Sequence, residues 1–336
     1  MYSFVKLKSI LFWTLVFSLV LPAFLVHAQT EALRINVTPS HPQPFETVVI
    51  SVEDFSRDLN KSEISWSVDG KVVSSGVGLK NVSVKTGDLG TATKVDINMG
   101  GVVETVILRP SVTDLLWQAD TYTPPFYKGK ALHTAQDPVT VYAEPFIVNK
   151  SGTRISPDNL VYKWKLDGSV NSNASGYGKK TFTITPSILV KPINVSVEIT
   201  STDNLYGSEA SIVIPNSNPE VVFYENHPLY GIRSSEALNG KDFTVVDSEA
   251  RIIGEPFFFS NAQKDFNLLT YEWSLNNSKI NQLENTIIVR TPSGEGSGRS
   301  LISLKIKNLE RFLQTAGDTL YAVYGNNPEQ QTQSVF

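Results

Sequence analysis

Histidine is the residue type most often used for catalysis and metal binding, and it occurs only four times in this chain. His27 lies in an apolar N-terminal stretch, whereas His41, His133 and His227 are widely separated and have proline or other loop residues as neighbours. None belongs to a His-x-His or His-x-x-x-His pair, the spacings that place two imidazoles on one metal ion. The pattern predicts surface loop histidines, with no catalytic residue and no histidine-based metal site.

Carboxylates offer a second route to chemistry, as an acid–base pair or as calcium ligands. Asp and Glu are scattered over faces predicted to be polar, which is typical of solvated surface charge. Asp137 and the Asp203-Asn204 pair are the candidate calcium ligands, although the chain contains no Asp-x-Asp-x-Asp-Gly loop. We therefore predict a protein that is not an enzyme and has no cofactor, and we keep calcium as an open alternative.

The composition narrows the class of partner. The chain has 336 residues and a formal net charge of −4, so it lacks the basic surface that binding to nucleic acid requires. It contains no cysteine, which excludes disulfides, thiolate metal sites and cysteine nucleophiles. For an exported chain, the missing inter-sheet disulfide fits a bacterial surface protein better than a eukaryotic one.

Aromatic residues supply the candidate binding surface. Tyr122-Thr-Pro-Pro-Phe126-Tyr127 combines two prolines that stiffen the backbone with three rings, and Trp117 lies close by. One interpretation is a recognition segment in which exposed rings bind a glycan or a protein. The other is a structural segment in which Phe126 or Tyr127 closes one end of a sandwich core, and the similar Pro228-Leu-Tyr230 favours it.

Strands must position these residues, and the clearest one reads Tyr-Lys-Trp-Lys-Leu-Asp-Gly at residues 162–168. Alternate residues share one face of a strand, and Asp-Gly ends it with turn chemistry. The pattern returns at residues 271–277 and, more weakly, at 64–70. The predicted core residues on these strands are Trp66, Tyr162, Trp164, Leu166, Tyr271, Trp273 and Leu275.

Three copies about a hundred residues apart predict three tandem β-sandwiches, because this period suits a sandwich and is far too long for a solenoid. The intervening segments are short, rich in β-branched residues and separated by turn residues, and none keeps a helical period. We predict an all-β chain with sandwiches at residues 33–110, 112–215 and 219–325. A polar, disordered tail is predicted at 326–336.

The N-terminus has the layout of a secretory signal peptide. Lys6 and Lys8 precede an apolar run over residues 10–26, and Val26-His-Ala28 offers small residues for cleavage. We expect a signal helix in residues 1–28, removed after Ala28. An uncleaved anchor is the alternative, and it would be the protein's one contact with a membrane.

The repeats resemble bacterial immunoglobulin-like sandwiches of the PKD or fibronectin type III kind. Tyr-x-Trp followed by an acidic-glycine turn matches the PKD-type pattern at residues 162–168, and the alternating Asn194–Thr200 matches a late strand of that family. The third copy departs from it with Asn276-Asn277, and the first with Ile64. Residues 115–132 are also similar to a stretch in uncharacterised exported proteins of candidate-phylum bacteria of the Patescibacteria type.

These features predict an exported protein at the cell surface or outside the cell, built as a rod of immunoglobulin-like domains with a structural or adhesive role. Its expected partners are other envelope or surface proteins. The alternative is a glycan-binding accessory protein that uses exposed rings within residues 117–127.

Overall fold

The computed structural model describes residues 33–325, apart from 186–187, 189–190, 266 and 293–296. The predicted signal segment at 1–28 and the predicted tail at 326–336 lie outside the described residues. Within the described part of the chain, no helix is long and apolar enough to cross a membrane.

The first sandwich packs a sheet ordered β1-β2-β5 against a sheet ordered β4-β3-β6-β7. All its pairings are antiparallel. A 3₁₀ turn at Leu59–Lys61 precedes β3. Its strands are β1 (Leu33–Thr38), β2 (Thr47–Asp54), β3 (Glu63–Val68), β4 (Lys71–Val77), β5 (Asn81–Lys85), β6 (Thr93–Met99) and β7 (Val102–Leu108).

The second sandwich repeats this plan, with β13-β9-β8 facing β11-β10-β14-β15 and with β12 also pairing with β10. A 3₁₀ turn at Pro157–Asn159 again precedes the tryptophan strand. Its strands are β8 (Val112–Ala119), β9 (Val139–Phe146), β10 (Leu160–Leu166), β11 (Ser169–Val170), β12 (Gly176–Tyr177), β13 (Thr181–Ile184), β14 (Ile193–Ser201) and β15 (Gly207–Ile214).

The third sandwich packs β17-β16-β19-β22 against β18-β24-β23-β20-β21, where β18 pairs with β24 in parallel. The short helix α1 (Asn261–Asp265) precedes its tryptophan strand. Its strands are β16 (Glu220–His227), β17 (Gly231–Ile232), β18 (Asp242–Thr244), β19 (Glu249–Phe257), β20 (Leu269–Leu275), β21 (Ser278–Lys279), β22 (Thr286–Arg290), β23 (Gly298–Asn308) and β24 (Thr315–Tyr324).

The same strand order in all three units confirms the predicted fold class, an all-β chain of three tandem immunoglobulin-like sandwiches. In each unit the first, second and fifth principal strands form one sheet, and the others form the facing sheet. Apolar side chains alternate inward along both sheets, so each sandwich encloses a core of its own.

One tryptophan anchors each core. Trp66, Trp164 and Trp273 are all 0% exposed. Each indole Nε1–H donates a 2.8 Å hydrogen bond to a backbone carbonyl in the segment that leads to the next long strand. A buried indole needs such a partner, so the repeated bond explains how a polar ring sits in an apolar core. Of the other predicted core residues, Tyr162 is buried, whereas Leu166, Tyr271 and Leu275 are half-buried at the core edges.

The turn after each tryptophan strand has the same geometry despite different residues. Asp69, Asp167 and Asn276 all have φ near +48°, and Gly70, Gly168 and Asn277 follow with positive φ. Positive φ at both positions defines the tight type I′ hairpin turn, which Gly, Asn and Asp tolerate. Each first side chain accepts a hydrogen bond from a backbone N–H of the neighbouring long strand, at Lys94, Asn194 and Leu301. Asn276-Asn277 therefore replaces Asp-Gly without changing the turn.

Candidate functional surfaces at the domain junctions

The connection from β8 to β9, residues 120–138, leaves the second sandwich and lies on the third. We call it the arm. Tyr122 N–H donates to the carbonyl of Phe259 at 2.7 Å, and Phe258 N–H donates back to the carbonyl of Tyr122 at 2.8 Å. An antiparallel bridge joins Thr121 to Ser260. The arm is thus paired through its backbone to the chain that follows β19.

Two rings of the arm fill an apolar surface on the outside of the third sandwich. Phe126 meets Tyr224 edge-on with 5.2 Å between ring centroids, and Tyr127 meets Phe257 at 5.4 Å. Such edge-to-face pairs contribute about 0.5–1.5 kcal/mol each beyond the area they bury. Around them, Tyr224, Ile253, Phe257 and Phe258 form a buried cluster separate from all three cores.

The prediction that Phe126 or Tyr127 closes one end of the core of its own sandwich is therefore wrong. Both rings pack, but against the third sandwich. Their contacts also favour packing over the alternative of a recognition segment. The local sequence signals a stiff aromatic loop and does not indicate which sandwich receives it.

The other two candidate binding residues also have partners within the chain. Trp117 packs against the edge of the second core, and Lys130 Nζ lies 3.2 Å from the centroid of its ring. Tyr122 is half-buried, with Lys264 Nζ 4.0 Å from its ring centroid. Its hydroxyl lies 3.4 Å from Glu255 Oε2. The four predicted residues therefore lie on or beside one structural joint.

Glu255 is a buried carboxylate at this joint. It is 6% exposed, and burial raises its pKa, against the lowering influence of Lys264 and Tyr122. Burial, with the nearby charge of Glu255, also raises the pKa of Tyr271 to about 12. These shifts follow from withdrawing the groups from water. The surrounding groups are phenols and one ammonium, which is the environment of a buried hydrogen-bonding cluster.

A second buried polar cluster lies deeper in the same joint, around Gln314. Its Nε2 donates to the carbonyl of Ala135 at 3.1 Å and to Asp137 Oδ2. Its Oε1 accepts from Ser260 N–H at 3.0 Å and from Asn308 Nδ2 at 2.8 Å. Gln314 is 0% exposed and joins the arm, the start of α1 and the turn before β24. One amide side chain therefore satisfies polar groups from both sandwiches.

Asp137 is 0% exposed, and its Oδ1 accepts no hydrogen bond from the described residues. Arg311 Nε is 3.8 Å from that oxygen. Burial raises the pKa of Asp137 to about 6, although hydrogen bonds from Ser260 and Gln314 act to lower it. His133 is 4% exposed, so the predicted surface position is wrong for this histidine, which is buried where the arm meets the third sandwich. Its Nδ1 is unpartnered among the described residues, and burial lowers its pKa. This joint therefore buries one carboxyl with a raised pKa and one imidazole with a lowered pKa, and burial favours the uncharged form of both.

The remaining candidate calcium ligands lie elsewhere. Asp203 Oδ1 accepts hydrogen bonds from Ser201 Oγ and from Leu205 N–H, which close the loop between β14 and β15. That loop faces the first sandwich, whereas Asp137 faces the third. Among the described residues, no group of three or more His, Asp or Glu side chains is placed to hold a metal ion.

The junction between the first and second sandwiches is held by hydrogen bonds around the linking residues, among them one from Ser111 N–H to the carbonyl of Pro42 at 3.0 Å. Ser111 Oγ donates to the carbonyl of Gly207 at 2.7 Å, and Arg109 Nη2 donates to the carbonyl of Lys150 at 2.9 Å. The ring of His41 lies directly against Gly207, and burial lowers its pKa. A cleft of about 260 Å³ remains between the two units, lined by residues that include Val37, Ile107, Ile147 and Tyr206.

No protein-family model matches the chain, and no curated protein sequence matches it. Solved structures of tandem β-sandwich proteins are similar in fold. The three N-terminal domains of the bacteriophage RB49 highly immunogenic outer capsid protein are 11% identical, with 88% of this chain and 99% of that chain covered and a TM-score of 0.25. The central fibronectin-III array of RIM-binding protein is 10% identical, with 88% and 96% covered and a TM-score of 0.29.

The fibronectin(III)-like modules of Clostridium thermocellum CbhA are 12% identical, with 55% of this chain and 94% of that chain covered and a TM-score of 0.26. At these identities and TM-scores, the likenesses carry no statement about what this chain binds. Only the geometry of its own junctions therefore bears on its role.

Proposed function

We propose that this protein is a non-enzymatic structural or adhesive protein, exported to the cell surface or the exterior, that holds a binding surface on a rod of immunoglobulin-like domains. The junction between the second and third sandwiches carries this proposal. Aromatic packing, backbone pairing and a buried polar cluster all join the two units there. Sandwiches fixed in this way transmit force and keep a binding surface at a defined distance from the attachment point.

The distribution of chemistry-bearing residues also supports a structural role. His41 lies at the first junction, His133 at the second junction and His227 at the end of β16. An acid–base pair requires groups within hydrogen-bond reach of one substrate. Tandem sandwiches of this type are common in cell-surface proteins that act by binding.

Protein partners of the envelope or surface are favoured over glycans. The glycan alternative relies on open aromatic faces within residues 117–127. Phe126 and Tyr127 instead contact aromatic rings of the third sandwich, and Lys130 lies over Trp117. In a polysaccharide-binding array, the wild type and the variant Trp117→Ala should therefore give the same result, with no polysaccharide bound through Trp117.

Rigidity of the second junction is the property to test first. The chain has no cysteine, so pairs of spin labels can be attached at introduced cysteines. Val170 on the second sandwich and Val246 on the third are 50% and 89% exposed, so neither substitution disturbs a core. Double electron–electron resonance on Val170→Cys/Val246→Cys should give a narrow distance distribution, and the same pair in Phe126→Ala/Tyr127→Ala should give a broad one. A broad distribution without the arm substitutions would refute the rigid rod.

Export is tested separately. N-terminal sequencing of the protein recovered outside the cytoplasm should begin at Gln29, since the predicted cleavage follows Ala28. Recovery of an intact Met1 in the membrane fraction would establish the anchored form. A cytoplasmic chain with an intact N-terminus would contradict the surface location.

A further inference from the structure

A hairpin at the end of the third sandwich presents two apolar side chains to solvent. Pro228, Leu229 and Tyr230 connect β16 to β17, and the pairing of His227 with Gly231 closes the loop. Leu229 is 83% exposed and Tyr230 is 79% exposed. The Tyr230 ring packs on His227 at 4.7 Å, and the loop backbone is ordered by the 3.1 Å hydrogen bond from Leu229 N–H to His227 Nδ1. Pre-ordered apolar side chains lose little entropy on binding.

The hairpin corresponds to the aromatic part of the arm. Pro125-Phe126-Tyr127 and Pro228-Leu229-Tyr230 both follow the first strand of their sandwich and precede an Ala-Leu pair. In the second sandwich this motif leaves its own unit and docks on the next one. The third sandwich is the last one described, so its copy of the motif has no following unit among the described residues.

The surface that receives the arm can be located by strand register. Phe126 packs on Tyr224, and Tyr224 pairs with Ile253 across β16 and β19. This pair lies three positions along the strands from the pair Val221–Pro256. The second sandwich has the same register, because its Thr113–Pro145 pair is followed three positions on by Leu116–Tyr142. Leu116 is 63% exposed and Tyr142 is 41% exposed. The second sandwich therefore carries an apolar pair where the third carries its receiving pair, and nothing described covers it.

A recess adjoins this open pair. It has a volume of about 280 Å³ and is lined by Gln118, Asp120, Thr140, Tyr142 and Thr183, among others. A recess beside an exposed ring is the shape that a protruding aromatic side chain needs, because anchor residues bind in pockets. We call the Leu116–Tyr142 pair and this recess the open face.

The open face is free because the first sandwich has no arm. Its equivalent connection, residues 39–46 between β1 and β2, is much shorter than residues 120–138 between β8 and β9. The first sandwich is also a poor receiver itself. The pair at the equivalent register there is Asn36–Ser51, which offers no apolar surface. The open face of the second sandwich is thus the better match for the unpaired hairpin.

Charge supports the same pairing. Asp114 and Glu144 lie opposite each other beside the open face, and Asp120 lines its recess. Arg154 offsets Glu144 alone, with an Nη2–Oε1 distance of 2.6 Å. At the hairpin, Glu225 offsets Arg233, and the exposed Arg251, next to Ile252 that pairs with Glu225, supplies a cation. Arg251 and the carboxylates beside the open face attract one another, which favours one orientation of docking.

We infer that the Leu229-Tyr230 hairpin of one copy of this chain docks on the open face of a second copy, so that copies associate head to tail. The two surfaces differ, so the contact is heterologous and each pair keeps one free hairpin and one free face. Repetition of the contact extends the assembly. This inference deepens the proposed structural role and rests on it for biological meaning.

Cross-linking tests the contact directly, because the full chain has no cysteine of its own. Tyr230→Cys in one preparation is mixed with Leu116→Cys in another under mild oxidation. A disulfide-linked dimer of the two variants should form at least tenfold faster than with Leu283→Cys in place of Tyr230→Cys. Leu283 is a matched control, since it is 80% exposed on the same sandwich. Equal rates for Tyr230→Cys and Leu283→Cys would overturn the inference.

Sedimentation of the full chain tests the polarity of the contact. The average mass of the wild type should rise with concentration, and Leu229→Ser/Tyr230→Ser or Leu116→Lys should weaken this association about tenfold or more, because buried anchor residues dominate such contacts. Val213→Lys, at a residue 59% exposed on the other sheet of the second sandwich, should leave it unchanged.

The two defective variants provide the decisive mixture. The hairpin variant retains its face and the face variant retains its hairpin, so together they should form one-to-one pairs that do not extend. A wild type that stays monomeric, or a mixture that does not associate, would overturn the inference. A monomeric chain with a narrow Val170–Val246 distance distribution would leave the proposed rod standing, so the two failures are distinguishable.

Discussion

The two junctions of this chain join similar sandwiches in different ways. The first depends on a few hydrogen bonds beside a cleft, among them those of Ser111 and Arg109. The second combines paired backbone, packed rings and a buried polar cluster around Gln314. The difference originates in the connection between the first two strands of each unit, which is short in the first sandwich and long in the second.

The comparison shows how a repeated domain acquires a specific neighbour. The core of each sandwich is complete without the arm, so extra residues in one surface connection are free to bind elsewhere. A long connection is tolerated because the entropic cost of closing a loop rises only slowly with its length. If the junctions differ in this way, substitutions at the core, the arm, the buried polar cluster and the first junction should have effects that decrease in that order.

The largest effect should come from Trp164→Ala. Removing a buried tryptophan costs about 3–5 kcal/mol, so the second sandwich should unfold at much lower denaturant. Because the arm belongs to that sandwich, the third should lose protection with it, whereas the first should not. Hydrogen exchange read separately for each sandwich measures this.

Trp66→Ala is the matched control for that experiment, since Trp66 is also 0% exposed. It should unfold the first sandwich and leave the second and third protected. Equal coupling across both junctions would show that the difference between them is not energetic.

The variant Phe126→Ala/Tyr127→Ala should separate the second and third sandwiches. Truncating two half-buried rings at the interface should lower the free energy that couples the two sandwiches by about 2–4 kcal/mol. This loss is smaller than the loss on truncating a fully buried tryptophan in a core. Calorimetry should show one shared transition replaced by two. Tyr177→Ala, at an exposed ring of the second sandwich, should leave the transition intact. Retention of a single transition in the arm variant would contradict the docking role of the rings.

Asp137 makes the second junction sensitive to pH. Burial raises its pKa from 3.8 to about 6, so the folded state favours the protonated form. This contribution to stability is fully present at pH values below the pKa of Asp137 in the unfolded chain, and it is lost as the pH rises through about 6. Burial lowers the pKa of His133, which acts in the opposite sense as the pH falls. The comparison must therefore be made between variants.

The free energy of unfolding of the wild type, measured relative to Asp137→Asn, should rise as the pH falls from about 7.5 to about 4. The rise should reach roughly 2–3 kcal/mol, because each pKa unit corresponds to about 1.4 kcal/mol. Urea titrations at several pH values supply the measurement. Parallel pH profiles for the two proteins would show that Asp137 does not titrate in the folded joint.

The smallest effect should come from Ser111→Ala at the first junction. It removes one hydrogen bond to Gly207, worth about 0.5–1.5 kcal/mol. The urea concentration at the midpoint of unfolding of the second and third sandwiches should shift little, and a urea titration measures this. A loss comparable to that of the arm variant would show that the first junction is as strongly coupled as the second.

Several features follow from the sequence because they depend on neighbouring residues. Strict alternation around Trp66, Trp164 and Trp273 predicts strands with one buried face, and the three copies predict three sandwiches. The type I′ turns likewise depend on two adjacent residues. Even Asn276-Asn277 is readable in this way, since Asn tolerates positive φ nearly as Gly does.

The joint could not be predicted in the same way. Phe126 meets Tyr224, and Gln136 accepts a hydrogen bond from Leu313 N–H across 177 positions of sequence. Asp137 and Gln314 are ordinary polar residues in the sequence and become buried only when two sandwiches meet. The repeat of Pro-x-Tyr at residues 125–127 and 228–230 was the available signal, and it indicates shared position without indicating a partner.

The cores follow from the sequence, because burial within one sandwich is set by a two-residue period and by local turns. What the surface residues contact depends on how the sandwiches are arranged in three dimensions. A loop with apolar rings has the same local energetics whether it folds back or reaches outward. Its choice depends on which surface is within reach and complementary, which in this chain is the outer face of the third sandwich.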